Sequence, residues 1–221
     1  GYSSAASDVY KRQVLNSDSF NYLTLISSIT PRIIPNFIEA DMVTTGRIIN
    51  EKIESILFVG HVQRTKGSFE ILEVARKVPD IKFVLVGPVS SEMNNENLPT
   101  NFQLEGARPS SEIQNYLSKT DLFLFPSYTE GFSISLTEAM ASGLPCIATD
   151  VGANKDMLEN KGGIIIPPKN SEAIIEAIHK FERYEDRLSA SDWNVNKVKS
   201  TYLLDNVMKL IIAVYKTVKS R

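Results

Sequence analysis

From about Ser55 onward, short unbroken apolar runs alternate with longer stretches whose apolar residues recur every third or fourth position. SILFVG (Ser55 to Gly60), KFVLVG (Lys82 to Gly87), the shorter FQLEG (Phe102 to Gly106), DLFLFPS (Asp121 to Ser127), PCIATD (Pro145 to Asp150) and GGIIIPP (Gly162 to Pro168) have the length and composition of buried strands. Between them, Ile71, Val74, Ala75 and Val78 mark one helix face, and Ile113, Tyr116 and Leu117 mark a second behind the Ser and Glu residues of SSEIQNYLSK. A third helix is expected from about Ser133 to Ser142, closed by Gly143 and Pro145. A fourth is expected to be capped by Ser171, with Ala173, Ile174, Ala177, Ile178 and Phe181 on its inner face. Strands apolar on both faces, alternating with amphipathic helices, predict an α/β fold with a doubly wound parallel sheet covered on each side. Ligands of such sheets sit beyond the carboxyl ends of the strands, so the turns after Val59, Val86, Leu104, Phe125, Thr149 and Ile166 are where chemistry is expected.

Elsewhere the pattern is weaker. The opening GYSSAASDVYKRQ has no periodicity and reads as a disordered leader or a cloning or sequencing scar. Leu23 to Ile34, apolar with Ser and Thr and interrupted by Pro31, reads as a connector, with Pro35 just beyond it. The tail from Asp192 to Arg221 reads as helix, with Leu203, Val207, Ile211, Val214 and Val218 on one side.

Composition narrows the function classes. At 221 residues the chain accommodates one large domain, or one domain with attached pieces, at ~150 residues per domain. With 43% apolar and 23% charged residues it has the make-up of an ordinary folded protein. The 24 basic and 26 acidic residues leave a net charge of −2, which excludes the broad basic field of nonspecific nucleic-acid binders, so an anionic ligand must be held locally. Cys146 is the single cysteine, and His61 and His179 are the only histidines. Neither an intramolecular disulfide nor zinc spacing is available, and a reducing cytoplasm fits. The longest apolar stretches fall far below the ~18 residues of a bilayer crossing, so no transmembrane segment or secretory signal is expected.

Two of the strand-end turns carry candidate chemistry. GHVQRTKG (Gly60 to Gly67) sets Lys66 at the start of a helix, where free N–H groups and the helix dipole suit a phosphate. A tight turn with a solvated lysine is the plainer alternative. The spacing matches neither GxGxxG nor GxxxxGK[ST], which disfavours a dinucleotide site and a P-loop. After Phe125, SYTEGFSISLTEAMASGLP places Glu130 in a loop and Glu138 inside the next helix, roughly 7 Å along its axis from Ser133. Two carboxylates so spaced suit hydroxyls at both ends of a nucleotide sugar, with N–H groups between them for negative charge. A capping role for Glu130 and a surface role for Glu138 remain the structural alternative.

FVGHVQRTKG, FVLVG, LEGARPSSEIQNYLSKTDLFLFPSYTEGFSISLTEAMASGLPCIATDVGANKDML and GGIIIPPKNSEAI together resemble the carboxyl-terminal, donor-binding domain of the GT-B retaining glycosyltransferases of group 1, or family 4. The likeness runs from about Ile34 to Phe181, and IIPNF (Ile33 to Phe37) resembles the family's IPNG hinge. The resemblance implies a Rossmann-like domain over residues 51–184, a remnant of the acceptor domain and hinge over 14–50, and a helical tail over 185–221. It implies that Gly60 lets the backbone approach the diphosphate of a UDP- or GDP-sugar, that Lys66 pairs with that diphosphate, and that Glu130 binds the sugar. Lys66 and Glu130 would be the catalytic pair. Gly131, Phe132, Ser133 and Ile134 would face sugar and phosphate, Glu138 the ribose, and Gly106, Ala107 and Arg108 the nucleobase. No DxD motif occurs, in keeping with a family that usually works without a divalent metal or other cofactor.

The chain also departs from the family. His61 stands where an arginine is general; with an ordinary pKa of ~6.5 it is mostly neutral and cannot form a bidentate phosphate fork, and Arg64 is the candidate to compensate. Ala153 and Asp156 replace a common glycine and glutamate. About 35 residues precede the hinge, where the family carries an acceptor domain with a catalytic histidine. The chain is therefore expected to be a truncated enzyme or an excised domain, inactive in transfer, whose glycan or lipid-linked acceptor binds the missing part. A cytoplasmic location, or a peripheral one at the inner membrane face, is expected. His179 reads as a surface or partly buried histidine and Trp193 as a packing anchor, and an uncovered tail stripe would favour self-association. A noncatalytic nucleotide-sugar-binding module and a nucleotide-sugar epimerase of the same architecture are the alternatives.

Overall fold

The computed structural model describes residues 13–27 and 30–219. The leader expectation falls on residues 1–12, outside the described residues, and Gln13 already pairs with Arg32. The elements in order are β1 (Gln13–Val14), α1 (Ser17–Ile26), β2 (Arg32–Ile33), β3 (Ser55–Val59), α2 (Ser68–Lys77), β4 (Lys82–Val86), α3 (Ser91–Asn94), β5 (Phe102–Gly106), α4 (Ser110–Lys119), β6 (Leu122–Phe125), α5 (Ile134–Ala141), β7 (Cys146–Thr149), α6 (Asn154–Leu158), β8 (Gly163–Ile166), α7 (Ser171–Lys180), α8 (Tyr184–Lys197) and α9 (Leu204–Lys219).

β3 to β8 form one six-stranded sheet in the order β5-β4-β3-β6-β7-β8, with every neighbouring pair parallel. The first strand of this sheet lies at its middle, and the chain winds outward one way and then the other, which is the doubly wound order expected from the sequence. β6 and β7 are buried at every residue, as strands covered on both faces must be. Phe58, Phe123 and Phe125 stack in the centre at ring separations of 6.3 and 6.1 Å. α2 turns Ile71, Leu72, Val74 and Ala75 inward and α7 turns Ile174, Ala177 and Ile178 inward, matching the periodicity in the sequence.

Three local features differ from the sequence reading. α1 takes up Leu23 to Ile26 of the expected connector; none of its residues is buried, and Leu25 is 85% exposed, so it lacks the one-sided apolar stripe by which a helix is recognised. The cap of α7 is Asn170, whose side chain accepts from the Ala173 N–H, and Ser171 is the first helical residue. The tail is two helices. A π turn over Val198–Tyr202 leads to Leu203 in extended conformation (φ −76°), and there the backbone bonds both ways with Ile38, just past IIPNF. Beyond the break, Val207 is buried and Leu203, Ile211 and Val214 are half-buried, while Met208, Leu210, Ile212 and Tyr215 are exposed. Trp193 packs on the core as expected, and His179 sits at the surface beside Glu182.

Arg187 ties the tail to the sheet. It is 1% exposed, and its guanidinium donates to the Phe181 carbonyl at the end of α7 and to the carbonyls of Asn50 and Glu51 at 2.7 and 2.8 Å. Truncation would leave the buried Phe181 carbonyl without its donor. Arg187→Ala is expected to cost about 3 kcal/mol, read as a lower urea midpoint.

Candidate functional site

The strand order reverses between β3 and β6, and the loops leaving the carboxyl ends of strands at such a switch are where sheets of this kind place ligands. The first loop starts at Gly60, whose N–H donates to the Val86 carbonyl. Gly87 must be glycine beside it, since a Cβ there would strike the Gly60 carbonyl and its own φ is +145°. A 3-10 turn over Arg64–Lys66 ends in Gly67 at φ +74°. A Cβ on Gly67 would collide with the Pro126 carbonyl, so this glycine is what allows the first loop to lie against the second.

The two loops are then stitched together. The Tyr128 N–H donates to the Thr65 carbonyl at 2.9 Å, and the Tyr128 hydroxyl donates to Glu70 Oε1 at 2.5 Å. Burial, reinforced by that bond to Glu70, pushes the Tyr128 phenol up to about 12. Lys66 Nζ meets Glu130 Oε1 at 2.5 Å, with the side chains only 27% and 12% exposed. Behind the second loop, Thr149 donates to the Ser127 carbonyl, and Gly152 at φ +55° packs where a Cβ would strike the Glu130 carbonyl. The Gly131 carbonyl accepts from the Ala153 N–H at 3.1 Å and from Asn16 Nδ2 at 2.8 Å.

Ser133 caps α5, accepting from the Leu136 N–H at 3.1 Å. The N–H groups of Gly131, Phe132 and Ser133 find no acceptor among the described residues, and they gather where the helix dipole is positive. Glu138 lies farther along α5, half-buried, with no hydrogen-bond or ion-pair partner among the described residues. Desolvation raises its pKa. Lys66 of the first loop thus pairs with Glu130 of the second, and the second loop and α5 carry amide donors and a carboxylate that have no partner among the described residues.

The remaining sequence-predicted residues have settings of their own. Arg64 donates to Glu92 of α3 and lies 3.9 Å over the Phe69 ring, engaged on the outer side of its loop rather than reaching toward Lys66. His61 and Ile134 are exposed. Gly106, at φ +69°, with Ala107 and Arg108 ends the edge strand β5; Arg108 donates to Glu105, which also accepts from the Tyr116 hydroxyl. Asn16, Glu70 and Tyr128 were not among the candidates from the sequence, and Thr149 and Gly152 entered only through the strand-end turn after Thr149. Only Asn16 had a local signal, a cap residue directly before Ser-Asp.

A doubly wound sheet with this order defines a Rossmann-like domain. The sequence model described as "Glycosyl transferases group 1" matches residues 46–197, and the chain belongs to that family. It is 31% identical over 111 residues to the lipopolysaccharide core biosynthesis mannosyltransferase LpsB of Rhizobium meliloti, covering 48% of this chain and 32% of that enzyme. Sucrose-phosphate synthase of Thermosynechococcus elongatus superposes with a TM-score of 0.82 at 19% identity, over 94% of this chain and 58% of that one. TarM of S. aureus, solved in complex with UDP, superposes at 0.78 and 19% identity, over 93% and 43%. The chain thus spans a third to under half of the length of the curated relatives it matches.

Two outcomes check this geometry. Gly67→Ala puts a side chain in the left-handed region against Pro126 and is expected to cost more than about 2 kcal/mol in chemical denaturation. Glu138 has a native pKa above its unfolded one, so between the two values the folded chain holds more protons, and stability falls as pH rises through that window and stays lowered above it. Glu138→Gln is therefore expected to raise the melting temperature at pH 7 and to lose that advantage below the ordinary carboxylate range.

Proposed function

We propose that the crevice between the Gly60–Gly67 and Pro126–Ser133 loops binds a nucleoside diphosphate sugar, and that within a complete enzyme this donor unit transfers a hexose with retention of configuration. The observation that carries the reading is the Lys66–Glu130 pair at the strand-order switch, beside amide donors that find no acceptor among the described residues. The ammonium and the carboxylate satisfy one another. A diphosphate brings more negative charge than Glu130 and competes for Lys66; Glu130, released, accepts from sugar hydroxyls. Glu138, desolvated and unpartnered, offers both oxygens to the ribose diol. As the glycosidic bond breaks, charge grows on the phosphate, and the preorganised Lys66 ammonium and the amides of Gly131 to Ser133 stabilise it.

The family membership and the UDP-bound TarM relative support a nucleotide-sugar donor. Residues 14–50 and the tail would belong to the junction with an acceptor-binding domain that holds a glycan or lipid-linked acceptor. No described helix is long and apolar enough to cross a membrane; a cytoplasmic or inner-face peripheral location is part of the proposal.

Isothermal titration of the chain with UDP, GDP and their sugars is expected to show one nucleotide series binding with Kd below about 1 mM, without sugar transfer to any acceptor. Lys66→Ala should weaken that binding by about 10- to 100-fold and Glu138→Ala by about tenfold. No heat with any of these ligands up to millimolar concentration contradicts the donor site, and undiminished affinity in Glu138→Ala contradicts the ribose role.

A further inference from the structure

Asn16 reaches the donor loop from 115 residues away in sequence, and it is 4% exposed. Its two side-chain groups do different work. Oδ1 accepts from the Ser19 N–H at 2.8 Å and caps α1, while Nδ2 donates to the Gly131 carbonyl at 2.8 Å. That carbonyl also accepts from the Ala153 N–H. In a trans peptide the carbonyl of Gly131 and the N–H of Phe132 point in opposite directions, so two donors on the oxygen fix where the hydrogen aims. That hydrogen has no acceptor among the described residues. Beside Asn16, the Ser17 N–H and hydroxyl both donate to Asp156 of α6, at 2.9 and 2.6 Å, which anchors the strap at a second point. Were the Gly131–Phe132 peptide to turn over, a carbonyl oxygen would replace the amide donor.

We propose that Asn16 is a positioning residue of the donor site: it holds the Gly131–Phe132 peptide so that the Phe132 N–H donates to the sugar of the bound nucleotide sugar. This rests on the donor-site reading above. Asn16 touches no substrate; it acts through Gly131. The segment before the IIPNF hinge thereby sets the geometry of a loop in the sheet domain.

Asn16→Asp separates the two roles. Aspartate caps α1 as well as asparagine does, but it cannot donate to Gly131 and sets a negative charge against that carbonyl. Asn16→Ser also caps and is too short to reach Gly131. The readout is the ratio of dissociation constants for sugar nucleotide over free nucleotide, measured on the full chain with UDP-N-acetylglucosamine against UDP and GDP-mannose against GDP. Both variants are expected to melt below the wild type but to stay folded at the assay temperature, to bind free nucleotide within about twofold of it, and to raise the ratio about tenfold. An unchanged ratio, or an equal loss for both ligands, overturns the proposal while leaving the donor site standing. A wild-type chain that binds none of the four ligands overturns both.

Discussion

The contact between Lys66 and Glu130 ties together two loops that the sheet itself drives apart. β3 and β6 lie side by side, but the connections leaving them wind to opposite faces, and nothing in the ladder of parallel hydrogen bonds holds their far ends near one another. A partly buried ion pair at 2.5 Å, backed by the Tyr128 N–H on the Thr65 carbonyl, bridges that gap. Removing one partner would leave an uncompensated charge in a half-dry crevice, which is worse than having neither. The same contact suits a ligand site, because a charge held by a side chain can be handed to an incoming anion without rebuilding the loop.

Close backbone approach makes that contact possible. Gly67 lets the first loop lie on Pro126, Gly87 leaves room for the Gly60 carbonyl, and Gly152 leaves room for the Glu130 carbonyl; all three have positive φ. Each has a steric neighbour that no other residue would clear. They fix the backbone, and the charged side chains come into register as a consequence.

The charged groups at the two ends of the sheet are partnered differently. At the amino end, Asp121 accepts from the backbone N–H groups of Glu54 and Ser55, the Ser55 hydroxyl and Asn50, while Arg47 donates to the carbonyls of Leu117, Ser142 and Thr120. A cavity of about 430 Å³ opens there, but its strongest charges are already matched. At the carboxyl end, among the described residues, Glu138 has no partner, the amides of Gly131 to Ser133 have no acceptor, and Glu70 Oε2 is buried without a bond. Matched groups hold a fold together; unmatched ones at a strand-order switch are what a ligand can satisfy.

Much of this was legible in the chain. The six strands and four of the helices are local events, since unbroken apolar runs and three-to-four spacing depend only on near neighbours, and the loops carrying Lys66 and Glu130, with the helix carrying Glu138, follow where those strands end. Contacts between remote residues were not legible. That Arg64 turns to Glu92, that the tail breaks at Leu203 to bond with Ile38, and that Asn16 grips Gly131 are decided by which surfaces meet once the sheet has closed. Sequence determined the elements and the order of the candidate chemistry, because propensity and hydrophobic period act over a few residues. Tertiary structure alone chose the partners of each charge and the facing of each peptide, because those depend on distances that folding creates.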